Sequence, residues 1–364
     1  MCVFLTGNPI YAHEILQANN QRAAYSAIRR RLCLDIYDGQ GNEAALPCTK
    51  WGQAVVIYCS VLSPALDVTY TVCGFEAGRT WTDVPALVTP AGKGVNVARV
   101  ITRLGEEAGV IGLMPAESYE QYRRYLHERH ITAHLFSVPG GVRVNVTIAD
   151  ASGGITHLNS RQPDTLAEKA FADYFDFACS FMRAGDVWSL SGSLFPGLPD
   201  AAYERLVAQL KGRDVQALLD SRGAAFAHGL RARPTMIKPN HAELEGYYGE
   251  KIRGIRHMAL RGKRLLDAGI PYVFISLGSD GMIAIHENDC LLCGAPAIDV
   301  VDTVGCGDAL VAGLLVGLVR KYSFNEMCRL AIACGTSNAL HRGAGTIDRN
   351  EVWQLMEDTT IEAV

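Results

Sequence analysis

From residue 54 onward, short apolar runs rich in β-branched residues alternate with longer stretches in which apolar positions recur every three to four residues. The short runs are typical of buried parallel strands, and the longer stretches are typical of helices that cover such a sheet. This alternation predicts an α/β fold. The predicted strands are 54–58, 109–112, 187–190, 217–220, 236–238 and 272–276. The predicted helices are 95–104, 119–129, 167–183, 200–210, 243–248, 256–268, 308–320 and 325–340.

Two stretches, 67–90 and 140–159, interrupt the alternation of strands and helices. The second contains Arg143-Val144-Asn145-Val146-Thr147-Ile148, in which polar and apolar residues alternate, as is typical of antiparallel strand. On such a strand Arg143 and Asn145 point to the same face, which could meet a sugar or a phosphate or be a solvated face. We therefore predict a small separate sheet that covers a site at the carboxyl edge of the main sheet.

Composition narrows the range of partners. The formal net charge of −4 over 364 residues gives no global basic field, so neither nucleic acid nor an anionic membrane is expected as a partner. No apolar run approaches the length of a membrane-spanning helix. The 11 cysteines are scattered and mostly lie in apolar runs, which favours reduced core residues and a cytoplasmic protein. Cys290 and Cys293 form a lone Cys-x-x-Cys pair, for which a place on a strand is a better interpretation than a zinc site.

Residues 1–50 precede the first predicted core strand and include the basic cluster Arg29-Arg30-Arg31. We interpret them as an N-terminal extension, partly helical, that packs on the domain or contacts another subunit. A transit peptide is the alternative, because the segment is basic and poor in acidic residues. Residues 51–364 are then expected to form a single domain.

The run Asp302-Thr303-Val304-Gly305-Cys306-Gly307-Asp308 leads directly into an apolar helix. Its two glycines allow backbone N–H groups to turn toward one point, where the helix adds a partial positive charge, so the run predicts an anion site. A carboxylate at the edge of that site would repel a phosphate unless it had a use, such as taking a proton from an attacking hydroxyl. Asp308 therefore indicates phosphoryl transfer, although the run by itself is equally compatible with a capped core helix.

A second glycine turn, Ala91-Gly92-Lys93-Gly94-Val95-Asn96, also runs into a helix. Its spacing differs from that of a Walker loop, so we interpret it as a place where a polyol approaches the backbone while Lys93 and Asn96 contact oxygen atoms. Asp67 follows a predicted central strand and could accept hydrogen bonds from sugar hydroxyls. A turn aspartate is the alternative.

Two further segments follow strands. Lys238-Pro239-Asn240-His241-Ala242-Glu243-Leu244 begins a helix with Asn240 and Glu243 on one side. Their oxygens suit Mg²⁺ contacted through water, and a capping box is the alternative interpretation. Ser276-Leu277-Gly278-Ser279-Asp280-Gly281 could contact nucleotide phosphates, although a tight turn has the same pattern.

In order and spacing, these segments resemble the ribokinase/PfkB family of sugar kinases over residues 54–348. The two most specific signatures are 91–98 and 302–308. The spans 63–67, 191–197, 219–221 and 238–244 are similar to the hexose-phosphate branch of that family. The resemblance implies a three-layer sandwich with a mainly parallel central sheet and a small β-sheet lid, and a homodimer paired through the lid.

The resemblance also implies an activity, namely ATP-dependent and Mg²⁺-dependent phosphorylation of a hydroxyl on a phosphorylated ketohexose. Asp308 would be the base, and the backbone of Gly305, Cys306 and Gly307 would form the anion hole. By the same likeness, the sugar would be held by Asp67, Gly92, Lys93, Asn96, Arg143 and Asn145. Asn240 and Glu243 would contact the metal through water. The nucleotide would lie against Ser276, Gly278, Gly281, Cys334, Ser337 and Asn338.

The chain departs from the family pattern around the predicted substrate. Ser63 replaces the usual Asn, Ala91 a Gly, Val142 a Thr, Phe195 a Pro, and Arg222 a small residue. These differences leave the sugar open. A kinase of an unphosphorylated sugar or nucleoside is one alternative, and a non-catalytic sugar-binding regulator on the same fold is another. Lys93 and Arg143 together favour a substrate that already carries phosphate.

Overall fold

The structure, a computed structural model, describes residues 55–151, 153–166 and 168–364. The predicted extension 1–50 lies outside these residues. Within the described ranges no helix has the length and apolar character needed to cross a membrane.

Fourteen strands are present in the described ranges. In chain order, β1 to β14 are Ile57–Val61, Ala65–Val72, Ala86–Ala91, Ala108–Pro115, Thr132–Val138, Arg143–Asp150, Ile155–Asn159, Val187–Ser191, Gln216–Asp220, Met236–Ile237, Tyr272–Ser276, Met282–His286, Asp289–Gly294 and Thr360–Ala363. The main sheet has ten of them in the order β14-β13-β12-β11-β10-β9-β8-β1-β4-β5. Seven neighbouring strands, β11-β10-β9-β8-β1-β4-β5, pair in parallel. Strands β12, β13 and β14 extend the sheet beyond β11 with antiparallel pairing.

Helices cover both faces of this sheet. In chain order, α1 to α10 are Lys93–Leu104, Tyr119–His127, Glu168–Cys179, Ala202–Lys211, Gly223–Arg231, His241–Tyr248, Gly254–Asp267, Cys306–Val319, Phe324–Ala339 and Arg349–Asp358. One buried apolar cluster joins the sheet to α1, α2, α8, α9 and α10, and a second joins it to the helices from α3 to α7. The predicted α/β three-layer sandwich is confirmed.

The sequence pattern missed some elements at the periphery. Helix α5 contains Gly229, a poor helix former, but a Cβ there would lie 2.6 Å from Leu219 Cδ2, so close packing requires the glycine. Edge strand β5 carries polar residues such as Thr132 and Ser137 that weaken its apolar run. Packing against the sheet stabilises both elements despite their weak local signals.

A second, four-stranded sheet has the order β3-β2-β6-β7. It consists of two antiparallel pairs, β2 with β3 and β6 with β7, joined by parallel pairing of β2 with β6. The parallel pair arises because β2 follows β1 and β6 follows β5, and both of these are parallel strands of the main sheet. This lid sheet brings Asp67 directly opposite Asn145.

Candidate active site

The loop before α8 has the sharp turn that its glycines predict. Gly305 has φ of 87°, and a Cβ on it would lie 2.5 Å from Ala344 Cα, so both conformation and space require glycine. Asp302 braces the loop, since Oδ1 accepts from the Val304 N–H at 2.9 Å and Oδ2 accepts from the Gly343 N–H at 3.1 Å. The N-terminus of α8 is thereby held at the carboxyl edge of the main sheet.

The first turn of α8 provides backbone donors that the helix itself does not use. Gly305, Cys306 and Gly307 lie together there, although the Cys306 N–H makes a long bond of 3.4 Å to Thr303 O. The position that a Cβ on Gly307 would occupy lies 3.8 Å from Lys238 Nζ. Lys238 thus adds a full positive charge beside the partial charge of the helix, a role that sequence reasoning did not assign to it.

Asp308 lies in the same first turn and is buried. Its Oδ2 accepts a hydrogen bond of 2.9 Å from Asn96 Nδ2, so the two predicted site residues meet across 212 positions of chain. Burial raises the pKa of Asp308 from 3.8 to about 6, while Lys93 opposes the rise. At neutral pH the group is therefore a carboxylate with greater basicity than an ordinary aspartate, which suits proton acceptance.

An ion trio, in which Asp220 and Lys238 are buried and Lys93 is partly exposed, lies next to Asp308. Asp220, at the end of β9, contacts Lys93 Nζ at 2.8 Å and Lys238 Nζ at 3.1 Å and is fully buried. Burial alone would raise the pKa of Asp220, but the two ammonium groups keep it below its usual value. Asp220 and Lys238 lie in the segments 219–221 and 238–244 that resemble the family, but neither was predicted as a site residue. The sequence pattern that could have identified them is an ionisable residue at the end of each of two adjacent parallel strands, β9 and β10.

Lys93 begins α1 directly after Gly92, whose carbonyl accepts from the N–H groups of Val95 and Asn96 at 2.9 and 3.1 Å. Although burial opposes its charge, Asp220 and Asp308 raise the pKa of Lys93, which keeps the ammonium protonated. Gly92 therefore turns the chain so that Lys93 and Asn96 both approach Asp308.

The lid sheet contributes a second set of polar side chains, separate from those around Asp308. Asn145 Nδ2 donates to Asp67 Oδ1 at 2.9 Å, and burial raises the pKa of Asp67. Arg143 lies on the same face of β6 as Asn145, as its spacing predicts. This face of the lid thus combines a carboxylate, an amide and a guanidinium.

Three buried polar atoms of these predicted residues lack a hydrogen-bond partner among the described residues: Asn96 Oδ1, Asn145 Oδ1 and Arg143 Nε. A buried polar group without a partner costs about 1–3 kcal/mol, so these three atoms are available to the polar groups of a ligand. Two of them accept and one donates, as a molecule with hydroxyl groups and an anionic group would require.

A cavity of about 170 Å³ lies beside Arg143 and Lys93. Its charged lining residues are Lys93, Arg143, Arg222 and Glu243, and its hydroxyl-bearing ones are Ser63, Ser191, Ser193 and Ser221. Three cations and one carboxylate give the cavity a positive balance that suits an anionic ligand.

Asn240 and Glu243 form a capping box at the start of α6. Asn240 Oδ1 accepts from the Glu243 N–H at 2.8 Å, and Glu243 Oε2 accepts from the Asn240 N–H at 2.9 Å. Direct ligation of a metal by both side chains would break this cap, whereas Glu243 Oε1 has no hydrogen-bond partner among the described residues. The pair therefore fits Mg²⁺ contacted through water.

The predicted nucleotide residues fall into two groups. Ser276 ends β11 next to Asn240, and the turn after it contains Gly278 and Gly281. A Cβ on Gly281 would lie 1.9 Å from Cys293 O, so this glycine is required by packing.

Cys334, Ser337 and Asn338 form the second group, on α9, and are fully buried. Ser337 Oγ donates to Glu351 Oε2 at 3.0 Å, and Asn338 Nδ2 donates to Val304 O at 2.9 Å. In this structure these two side chains tie α9 to α10 and to the loop 302–305 that precedes α8. A nucleotide role for either group stays a prediction.

The buried aspartate beside the N-terminus of α8 and the cationic cavity suit the transfer of a phosphoryl group. Residues 79–350 match the pfkB family carbohydrate kinase. The chain belongs to this family and is an ATP-dependent sugar kinase.

Several relatives are named more narrowly. The 1-phosphofructokinase of Escherichia coli K12 is 30% identical over 298 residues, which is 81% of this chain and 94% of that protein. The 1-phosphofructokinase of Rhodobacter capsulatus is 32% identical over 275 residues, covering 75% of this chain and 86% of that protein. Phosphofructokinase-2 from Escherichia coli, solved in complex with potassium, shares the fold with a TM-score of 0.78 and 22% identity, covering 84% of this chain and 99% of that one.

Proposed function

We propose that this kinase transfers the γ-phosphoryl group of ATP to a free hydroxyl of a phosphorylated ketohexose. The names of the similar 1-phosphofructokinases support a substrate of this class. The observation that carries the proposal is the meeting of Asp308, Asn96 and the N-terminus of α8 beside a cationic cavity. Their arrangement supports proton removal and charge stabilisation at one point.

In the proposed reaction, the sugar hydroxyl lies between Asp308 and the γ-phosphorus. Asp308 takes the hydroxyl proton, while the N–H groups of Gly305, Cys306 and Gly307 stabilise charge on the transferred group. Asn96 orients the carboxylate through its 2.9 Å hydrogen bond. Mg²⁺ held through water by Glu243 and Asn240 would supply further neutralisation of phosphate charge. The lid residues Asp67, Asn145 and Arg143 would bind the sugar and exclude water.

The proposal is tested by ADP release from the purified protein with ATP, Mg²⁺ and a panel of acceptors. The panel contains fructose 1-phosphate, fructose 6-phosphate, tagatose 6-phosphate, fructose and ribose. We expect release to depend on one of the phosphorylated ketohexoses. Turnover with fructose or ribose alone would establish the unphosphorylated-sugar alternative, and no sugar-dependent release with any acceptor would favour a regulator.

We also propose a homodimer paired through the lid. One face of the lid carries a row of directly opposed apolar residues, Val88, Val68, Val146 and Leu158. Val88 is 46% exposed and Leu158 is 55% exposed. A continuous apolar row of this kind is favourable to bury against its counterpart in a second lid.

Leu158→Lys should therefore convert the dimer to a monomer, because it places a charge at one end of the apolar row, on its most exposed member. Light scattering coupled to size exclusion gives the mass directly. Leu87→Lys is the matched control, since Leu87 is also exposed on the lid but lies on the opposite face. Persistence of the dimer in both variants would place the interface elsewhere.

A further inference from the structure

We infer that Arg222, together with Arg143, binds the phosphate that the sugar already carries, and that Arg222 is a specificity-determining residue of this kinase. The inference rests on the proposed function, because it assigns one end of the same cavity. Arg222 stands where the family usually has a small residue, so this assignment concerns the present chain in particular.

Arg222 is placed for this role by its position in the fold. It follows the end of β9 by two residues and is the N-cap residue of α5, with extended backbone angles of −141° and 163°. Its side chain makes no capping hydrogen bond, and no ion pair involving it occurs among the described residues. The guanidinium is therefore available at the cavity that it lines.

The charges around the cavity divide into two groups. Lys93 and Lys238 share the carboxylate of Asp220, so much of their charge is already compensated. Arg143 forms no ion pair within the described residues, and its Nε is buried without a hydrogen-bond partner. The nearby charge of Asp67 favours the guanidinium of Arg143, whereas the charge of Arg222 opposes it. Glu243 also lines the cavity but forms an ion pair with neither arginine among the described residues. Two arginines that line one cavity without ion-pair partners of their own favour a dianionic group, which converts their repulsion into two attractions.

The sizes of two departures from the family pattern are complementary. Ser63 is shorter than the Asn usual in the family, and Arg222 is longer than the small residue usual at its position. Both line the same cavity. At Arg222 a planar guanidinium can bind phosphate with two parallel hydrogen bonds.

Arg222→Ser should raise the KM for the phosphorylated ketohexose about 10- to 100-fold, the usual effect of losing a charge-assisted hydrogen bond. The KM for ATP and the rate with unphosphorylated fructose should change less than about twofold, since neither contacts Arg222 in the proposed arrangement. Arg222→Lys should recover part of the affinity, because an ammonium keeps the charge but lacks the fork of donors. Arg124→Ser, which removes an exposed arginine on α2, is the matched control for net charge.

Calorimetric titration with fructose 1-phosphate, fructose 6-phosphate and fructose in the absence of ATP tests the subsite independently of turnover. A 10- to 100-fold weaker Kd in Arg222→Ser, with an unchanged melting temperature, supports the subsite even if the wild-type protein releases no ADP. Equal losses for fructose and its phosphates, a shift in the KM for ATP, or an unchanged Kd would each overturn it.

Discussion

Asp308→Asn should lower turnover by about 10²- to 10⁴-fold while ATP and the sugar phosphate still bind. The amide has the size of the carboxyl and can still accept the hydrogen bond from Asn96, but it cannot take a proton from the attacking hydroxyl. Single-turnover kinetics together with calorimetric binding separate these effects. Turnover within about threefold of the wild type would exclude Asp308 as the base.

The same variant should be at least as stable as the wild type at pH 7.5. Burial raises the pKa of Asp308 from 3.8 to about 6, so the folded state disfavours the charged form. The contribution of this carboxyl to stability is therefore greatest below pH 3.8, declines as the pH rises to about 6, and is constant above it. Removing the charge should stabilise the protein by up to about 3 kcal/mol at pH 7.5. A variant that is more stable but has lost turnover would show that the charge of Asp308 serves catalysis and not stability.

The pH dependence of the wild type provides the matching control. The kcat/KM should rise with pH to about 6 and then level off, because only the carboxylate form of Asp308 accepts a proton. The residual activity of Asp308→Asn should lack this rise.

Asp220→Asn should destabilise the fold by about 3–5 kcal/mol, because it leaves the buried ammonium of Lys238 and the adjacent Lys93 without their shared carboxylate. The expected fall in Tm is on the order of 10 °C. The two lysines hold the pKa of Asp220 below its usual value, so its stabilisation is complete at neutral pH and is lost only as the pH falls below about 4, through that lowered pKa. Calorimetric melting at pH 7 measures the effect.

The double variant Asp220→Asn/Lys238→Met is the control for this trio. Lys238 is 4% exposed, whereas the side chain of Lys93 is 40% exposed and can reach solvent. Removing the charge of Lys238 should therefore recover most of the lost stability, although not the activity. A single variant that melts within about 2 °C of the wild type would contradict a structural role for the trio.

Local sequence was sufficient for the parts of the site that are contiguous. The sharp turn at 302–308 was predictable because its glycines and a carboxylate lead directly into an apolar helix. The face shared by Arg143 and Asn145 was predictable because side chains on a strand alternate with a period of two. Elements such as α5 and β5 were not, because packing against the sheet, not local propensity, stabilises them.

By itself, then, the sequence determined the fold class through the alternation of strands and helices, and the kinase family through the order and spacing of its segments. It also determined the residues of the two glycine turns, because each turn lies within one short segment. Only the tertiary structure decided which charges meet. Lys93 and Asp220 are 127 positions apart, and Asn96 and Asp308 are 212 apart. Parallel β connections bring such distant residues to one edge of the sheet, where burial and neighbouring charges then set their protonation. The same edge brings Arg222 to the cavity of Arg143, a proximity that no local pattern contains.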